Sequence, residues 1–331
     1  MSAHAEPVLL NVADVQPEQV RWLWENRVPF GKVTIFAGDP GLGKSLVALD
    51  LAARVSRGGR GVILLSAEDA PADTIRPRLD SARADVRRIQ ILTAVRVTAN
   101  DGKRTERMLR LDLDVQRIAD AIGQYSETDL VIIDPLSAYM GSVDARSDEQ
   151  VRSILAPLAE LAAKTGVAIA CVKHLNKAEE KSAIYRSGGS IGFVAAARVV
   201  WVFAKDRDDP ERRLIVLVKS NIGPDPGGLA YRIEQTEIGH CRVRWEDGPV
   251  HIALEDVLRP PTPNRESAAH AADQWLREML SSGAVAANDV KQAATEAGVS
   301  WMTVRRAAAV LNVKRVHEGF GAGSRWMWSL P

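Results

Sequence analysis

The residues best equipped for chemistry in this 331-residue chain begin with the run GDPGLGKS, Gly38 to Ser45, which fits G-x-x-x-x-G-K-[ST] at every fixed position. Gly38, Gly41 and Gly43 carry no Cβ, so backbone N–H groups can converge on phosphate oxygens at the positive end of a following helix. In such a loop Lys44 reaches the β- and γ-phosphates and the Ser45 hydroxyl meets Mg²⁺. The expected cradle is therefore Gly38, Asp39, Pro40, Gly41, Leu42, Gly43, Lys44, Ser45 and Leu46. By itself this motif licenses binding of ATP or GTP, and motors, switches, kinases and pumps all use it.

Hydrolysis asks for more: an acid to hold Mg²⁺ and a group to orient the attacking water. DLVIID supplies four apolar residues ending in Asp134, expected beside Ser45 at the carboxyl edge of a strand neighbouring the phosphate-loop strand. VILLSAED ends a second apolar run with Glu68 and Asp69, and in open α/β sheets the ligand crevice lies at the carboxyl ends of the strands. Glu68 is the favoured water-positioning base, with Asp69 the alternative. VAIACVKH ends a third run at His174, placed to sense the γ-phosphate.

Stepping outward, short β-branched runs at 32–37, 61–66, 89–93, 130–134 and 167–173 alternate with helical patterns at 44–57, 71–82, 114–124 and 147–165. That alternation predicts an α/β fold, a mostly parallel sheet flanked by helices. After residue 196 the runs ARVVWVFAKD, RRLIVLVKS, LAYRIEQ and CRVRWE follow one another without helices, so the sheet should end antiparallel. Upstream, QPEQVRWLWENRV reads as an amphipathic helix packing on a neighbouring copy or on its own core. LRPPTPN stiffens the chain near 258–266, dividing a core (1–257) from a small α+β unit (267–331). In that unit three helices, with Asn288 and Ser300 as N-caps and Gly298 in the turn between the last two, precede a two-stranded wing: a winged helix-turn-helix pattern.

Forty-three basic residues against 42 acidic leave the whole nearly neutral, so overall charge selects no partner. Cys171 and Cys241 lie far apart without CxxC spacing, which argues against a disulfide framework or a zinc site. No apolar run reaches membrane-spanning length and the N-terminus lacks a basic n-region, so a cytoplasmic protein with no membrane contact is expected.

The order of phosphate loop, AED, Asp134, VKHLNK and a β-rich tail containing VKSNIG resembles the RecA-like ATPases. More narrowly, over residues 20–246, it resembles the RepA-like hexameric replicative helicases of plasmids and phages, relatives of the DnaB helicases. The resemblance implies ATP and Mg²⁺ as cofactors and a homo-oligomer, a hexamer by analogy, whose ATP sites lie between subunits. It also implies basic groups supplied in trans, with Lys219 as candidate piston lysine and Arg198 as candidate arginine finger. The chain departs from the DnaB pattern, which carries a lysine and an arginine two apart, where this sequence has Lys219, Ser220 and Asn221.

In such motors single-stranded DNA is gripped by channel loops. Residues 137–150 and 176–190 have suitable length, and the second carries Lys177, Lys181, Tyr185 and Arg186, positive charge with a stacking face. In the C-terminal unit Val304, Ala308 and Leu311 share one helix face for a core, leaving Trp301, Met302, Arg305 and Arg306 toward the other, as a helix contacting duplex DNA would. The expected function is an ATP-dependent ring-forming motor on DNA, a replicative-type helicase. A recombination or repair ATPase without unwinding, and a DNA-binding regulator using ATP as an oligomerisation switch, remain the alternatives.

Overall fold

The computed structural model describes residues 7–99, 101–144, 147–174, 191–236, 239–252, 254, 257, 265–281, 283–297, 299, 301–318 and 325–331. They divide into two units, Met1–Leu258 and Arg259–Pro331.

The first unit opens with a short hairpin, β1 (Trp22–Trp24) and β2 (Val28–Pro29), where a helix was expected. Asn26 explains the difference: it sits at φ 55°, a left-handed conformation that asparagine tolerates and a helix does not contain. The hairpin packs on its own core. Trp24 meets Trp245 edge-on at 5.5 Å, and the Trp201 Nε1–H donates to the Arg27 carbonyl at 3.0 Å.

Then follow β3 (Val33–Gly38), α1 (Lys44–Arg57), β4 (Gly61–Ser66), α2 (Arg76–Ser81), β5 (Ile89–Ile91), a hairpin of β6 (Val95–Thr98) and β7 (Arg104–Arg107), and α3 (Leu111–Gln124). Next come β8 (Thr128–Asp134), α4 (Asp148–Thr165), β9 (Ala168–His174), α5 (Ile191–Ala196), β10 (Val199–Lys205), β11 (Arg212–Ser220), β12 (Leu229–Gln235) and β13 (Cys241–Trp245). Among the described residues the main sheet has nine strands in the order β13-β12-β11-β10-β3-β9-β8-β4-β5. From β10 to β5 all neighbours are parallel, and from β10 to β13 all are antiparallel.

Both faces of the parallel part are covered, which is why its strands are largely apolar on both faces rather than alternating. On β3, Val33, Ile35 and Ala37 face α3, α4 and α5, while Phe36 faces α1 and α2. One placement differs from expectation. The strand bearing Asp134 is not adjacent to the phosphate-loop strand, because β9 lies between them. The insertion still leaves the strand ends level, since Gly38 pairs with His174 and Ser66 with Asp134.

The second unit contains α6 (Arg265–Met279), β14 (Val285–Ala286), α7 (Ala287–Glu296), α8 (Trp301–Val310), β15 (Lys314–Glu318) and β16 (Arg325–Ser329), with sheet order β14-β16-β15. Leu276, Val290, Val304, Ala308, Leu311 and Trp328 form its core. Asn288 is not an N-cap: β14 runs straight into α7, so Ala286 occupies the cap position without a side-chain bond. Trp301 turns inward and stacks on Trp328 at 5.4 Å, because an indole at the start of α8 completes this small core better than it would face water. Arg305 and Arg306 are exposed, whereas Gly298 and Ser300 lie outside the described residues. Among the described residues no helix is long and apolar enough to cross a membrane.

Candidate functional site

The phosphate loop joins β3 to α1 and its glycines are sterically fixed. A Cβ at Gly38 would lie 2.8 Å from the Phe203 carbonyl, and Gly43 stands at φ 83° as the N-cap of α1. No side chain caps α1, which leaves its first N–H groups directed at the loop, where an anion satisfies them and meets the positive end of the helix dipole. Lys44 is almost fully buried, and its Nζ donates to the Asp39 carbonyl at 2.8 Å. Burial lowers its pKa to about 8, against the opposing pull of Asp134, Asp39 and Glu68. Leu42 and Leu46 are buried anchors on either side, while Asp39, Pro40 and Gly41 are exposed at the loop crest.

Asp134 arrives from β8 and accepts a hydrogen bond from the Ser45 hydroxyl. Burial pushes its carboxyl up to about 6; Asp69 and Glu68 add to the rise, and Ser45 and Lys44 oppose it. A half-buried carboxylate under this electrostatic load, paired with a hydroxyl beside a phosphate cradle, fits Mg²⁺, which takes few protein ligands and completes its shell with phosphate and water. No larger group of metal-ligating side chains exists among the described residues, as that mode of binding requires none.

Glu68 and Asp69 follow β4 and separate into different roles. Asp69 is held by Arg78 at 2.6 Å. Glu68 is mostly exposed, facing His174 with Nε2 and Oε2 3.8 Å apart. The His174 pKa is lowered, first by burial and then by Lys44, with Glu68 opposing, so the ring is neutral at pH 7 and able to donate to phosphate from one nitrogen.

Around these groups lies a cleft of about 260 Å³, lined also by Arg78, Ile233 and Cys241. That is below the roughly 300–1,000 Å³ of closed small-molecule pockets. Ile233 and Cys241 come from β12 and β13, so the antiparallel end of the sheet walls the nucleotide side of the loop. Tyr231, also on β12, donates its hydroxyl to the Leu42 carbonyl at 2.5 Å and so braces the loop from below. Sequence reasoning missed these residues because the bond joins positions 189 apart and no motif records it. Tyr231→Phe is expected to strand a buried carbonyl and to lower stability by about 1–2 kcal/mol, read as a lower urea midpoint at unchanged slope.

Arg198 and Lys219 lie elsewhere. Arg198 immediately precedes β10 and Lys219 pairs with Val200, so both occupy the opposite end of the sheet from the phosphate loop. Arg198 is exposed. Lys219 donates from Nζ to the carbonyls of Val194, Ala195 and Ala197 at 2.7, 3.1 and 3.0 Å, capping α5. Of the two expected DNA loops, the first starts in a 3₁₀ turn whose Tyr139 is buried, and Lys177, Lys181 and Arg186 of the second lie outside the described residues.

Known proteins resemble parts of this chain. The DNA repair protein RadA of Halalkalibacterium halodurans is 31% identical over 150 residues, 44% of this chain and 28% of that protein. RadA of Mycobacterium tuberculosis is 33% identical over 151 residues, with the same coverage. The matched region thus spans little more than a quarter of those relatives' length. Among solved structures, the ATPase domain of G40P superposes with a TM-score of 0.48 at 15% identity, over 64% of this chain and 84% of that one. The family model described as AAA domain matches residues 2–180, more than half of the chain and every phosphate-site residue named above from Gly38 to His174. With its phosphate loop and Ser45–Asp134 pair on a mostly parallel sheet, the chain belongs to the AAA domain family and is a P-loop ATPase.

Proposed function

We propose that this ATPase is a ring-forming motor on DNA, most simply a replicative-type helicase of a plasmid, phage or prophage. One observation carries the reading. The cleft brings Ser45, Glu68, Asp134 and His174 together but is open and small, and the two candidate transition-state cations stand at the far end of the same sheet. Arg198 and Lys219 stand too far from their own phosphate loop to act there, which supports a reading in which a second copy supplies them. A cation supplied in this way accelerates phosphoryl transfer by about 10³–10⁵-fold.

In the proposed mechanism Lys44 and the α1 N–H groups hold the β- and γ-phosphates, and Ser45 with Asp134 would hold Mg²⁺. Bound there, the metal neutralises charge developing on the phosphate oxygens. Glu68 orients water and accepts its proton as the water oxygen attacks the γ-phosphorus. The bond to the β-bridging oxygen breaks and ADP departs with the electron pair. His174 contacts the γ-phosphate and distinguishes ATP from ADP. Arg198, exposed and unburdened by a helix cap, is the stronger finger candidate. Lys219 acts as piston only by leaving the carbonyls of α5.

DNA would be gripped through Lys177, Lys181 and Arg186 in the ring channel. The second unit is read as a winged helix contacting duplex DNA through Arg305 and Arg306. The RadA similarity favours one competing reading, a recombination or repair ATPase without unwinding. Native mass measurement of the full chain with Mg²⁺, a non-hydrolysable ATP analogue and a single-stranded oligonucleotide tests the motor. A closed oligomer containing one strand is expected, and a monomer at all concentrations would refute it.

A further inference from the structure

Lys173 is a buried cation that the proposed mechanism does not use. It is 6% exposed, and among the described residues no carboxylate pairs with it. Its Nζ donates to the His174 carbonyl at 3.2 Å and stands 4.5 Å from the centre of the Phe193 ring, itself buried. Burying an ammonium beside one carbonyl and one ring is unfavourable compared with a methionine of similar length, so packing alone does not explain the residue. Burial lowers its pKa to about 8, which still leaves it mostly charged at neutral pH.

Placement supplies the explanation. Successive residues of a strand point to opposite faces, and at the end of β9 His174 faces Glu68 in the phosphate cleft while Lys173 reaches Phe193 of α5. That helix is tied at its start by the Gly192 N–H donating to Asp148 at 2.9 Å, and at its end by Lys219. Arg198 follows it directly. A single short helix therefore joins the γ-phosphate end of β9 to both cations proposed to act in the next subunit.

We propose that Lys173 is a positioning residue that couples the phosphate end of β9 to α5 through the Phe193 ring, so that nucleotide occupancy is transmitted to Arg198 and Lys219. This rests on the reading of His174 as the γ-phosphate contact, and not on ring formation or DNA binding.

Hydrogen exchange of the full chain, with and without Mg²⁺ and a non-hydrolysable ATP analogue, tests it. In the parent protein the analogue is expected to protect amides 38–46 and to change exchange over 192–198. Lys173→Met should keep the first effect, lose the second and raise the thermal midpoint, since a buried charge is removed. Phe193→Leu should likewise lose the second effect, and Lys173→Arg, which keeps a cation over the ring, should restore it. An unchanged response over 192–198 in both Lys173→Met and Phe193→Leu overturns the proposal. So does loss of protection at 38–46 in Lys173→Met, which would place the lysine in the phosphate frame itself. A parent whose 38–46 amides ignore the analogue refutes the nucleotide site instead, and a monomeric parent with an intact α5 response refutes only the ring.

Discussion

Glu68→Gln is expected to reduce ATP turnover by about 10²–10⁴-fold, the usual contribution of a positioned general base, while nucleotide affinity stays within experimental error of the parent. The geometry separates this acid from its neighbour. Asp69 spends its charge on Arg78 at 2.6 Å, whereas Glu68 faces His174 at 3.8 Å and stands mostly in solvent beside the cleft. Glutamine preserves the size and one acceptor oxygen but cannot take a proton. The decisive comparison is single-turnover hydrolysis against equilibrium binding of a fluorescent ATP analogue. If Asp69→Asn abolishes turnover and Glu68→Gln leaves it intact, the roles are reversed.

Asp134→Asn should make the nucleotide-free protein more stable at pH 7, by about 2–3 kcal/mol, while eliminating hydrolysis. Burial raises the Asp134 carboxyl to about 6, so the folded chain prefers it protonated while the unfolded chain releases the proton near the ordinary value of 3.8. As pH rises from about 4 to 6 the unfolded state gives up its proton first, and this group's contribution to stability falls; above about 6 the loss is complete and constant. Asparagine imitates the neutral carboxyl and escapes the loss, so the advantage of the variant should vanish near pH 4. Denaturant melts of both proteins at pH 4.5, 6 and 7.5 measure it. A variant less stable than the parent at pH 7 would show that the Ser45 hydrogen bond outweighs desolvation. With Mg²⁺ and nucleotide the order should reverse, because the parent alone gains a cation at Asp134.

Wherever local chemistry dictates structure, the sequence could be read. The helix expected at 44–57 forms over Lys44–Arg57, since a glycine-rich loop and an apolar stripe leave few alternatives. The apolar runs ending at Ser66, Asp134 and His174 become parallel strands because helices cover both of their faces. Their ends place Ser45, Glu68, Asp134 and His174 around one cleft. Four things escaped. The hairpin at 22–29 hid behind a helix-like pattern of tryptophans, although Asn26 was its turn signal. The β6–β7 hairpin alternates mostly exposed residues around an Asp101–Gly102 turn, a recognisable signal with no buried face to reinforce it. The bracing of the phosphate loop by Tyr231 and the capping of α5 by Lys219 join residues 189 and 22–25 positions apart, set by strand order rather than by any local pattern.

The opposite placement of the cleft and the Arg198–Lys219 pair on one sheet gives each chain a front and a back. On the proposed trans reading the back of one copy would meet the front of another, which a two-fold pair can do reciprocally and a head-to-tail chain can repeat. In the proposed ring the copies would follow one another in the same sense, closing where head-to-tail contacts could otherwise run on as an open helix. In such a ring each molecule would be at once the vessel for one nucleotide and the trigger for another, and hydrolysis would acquire an order around the assembly.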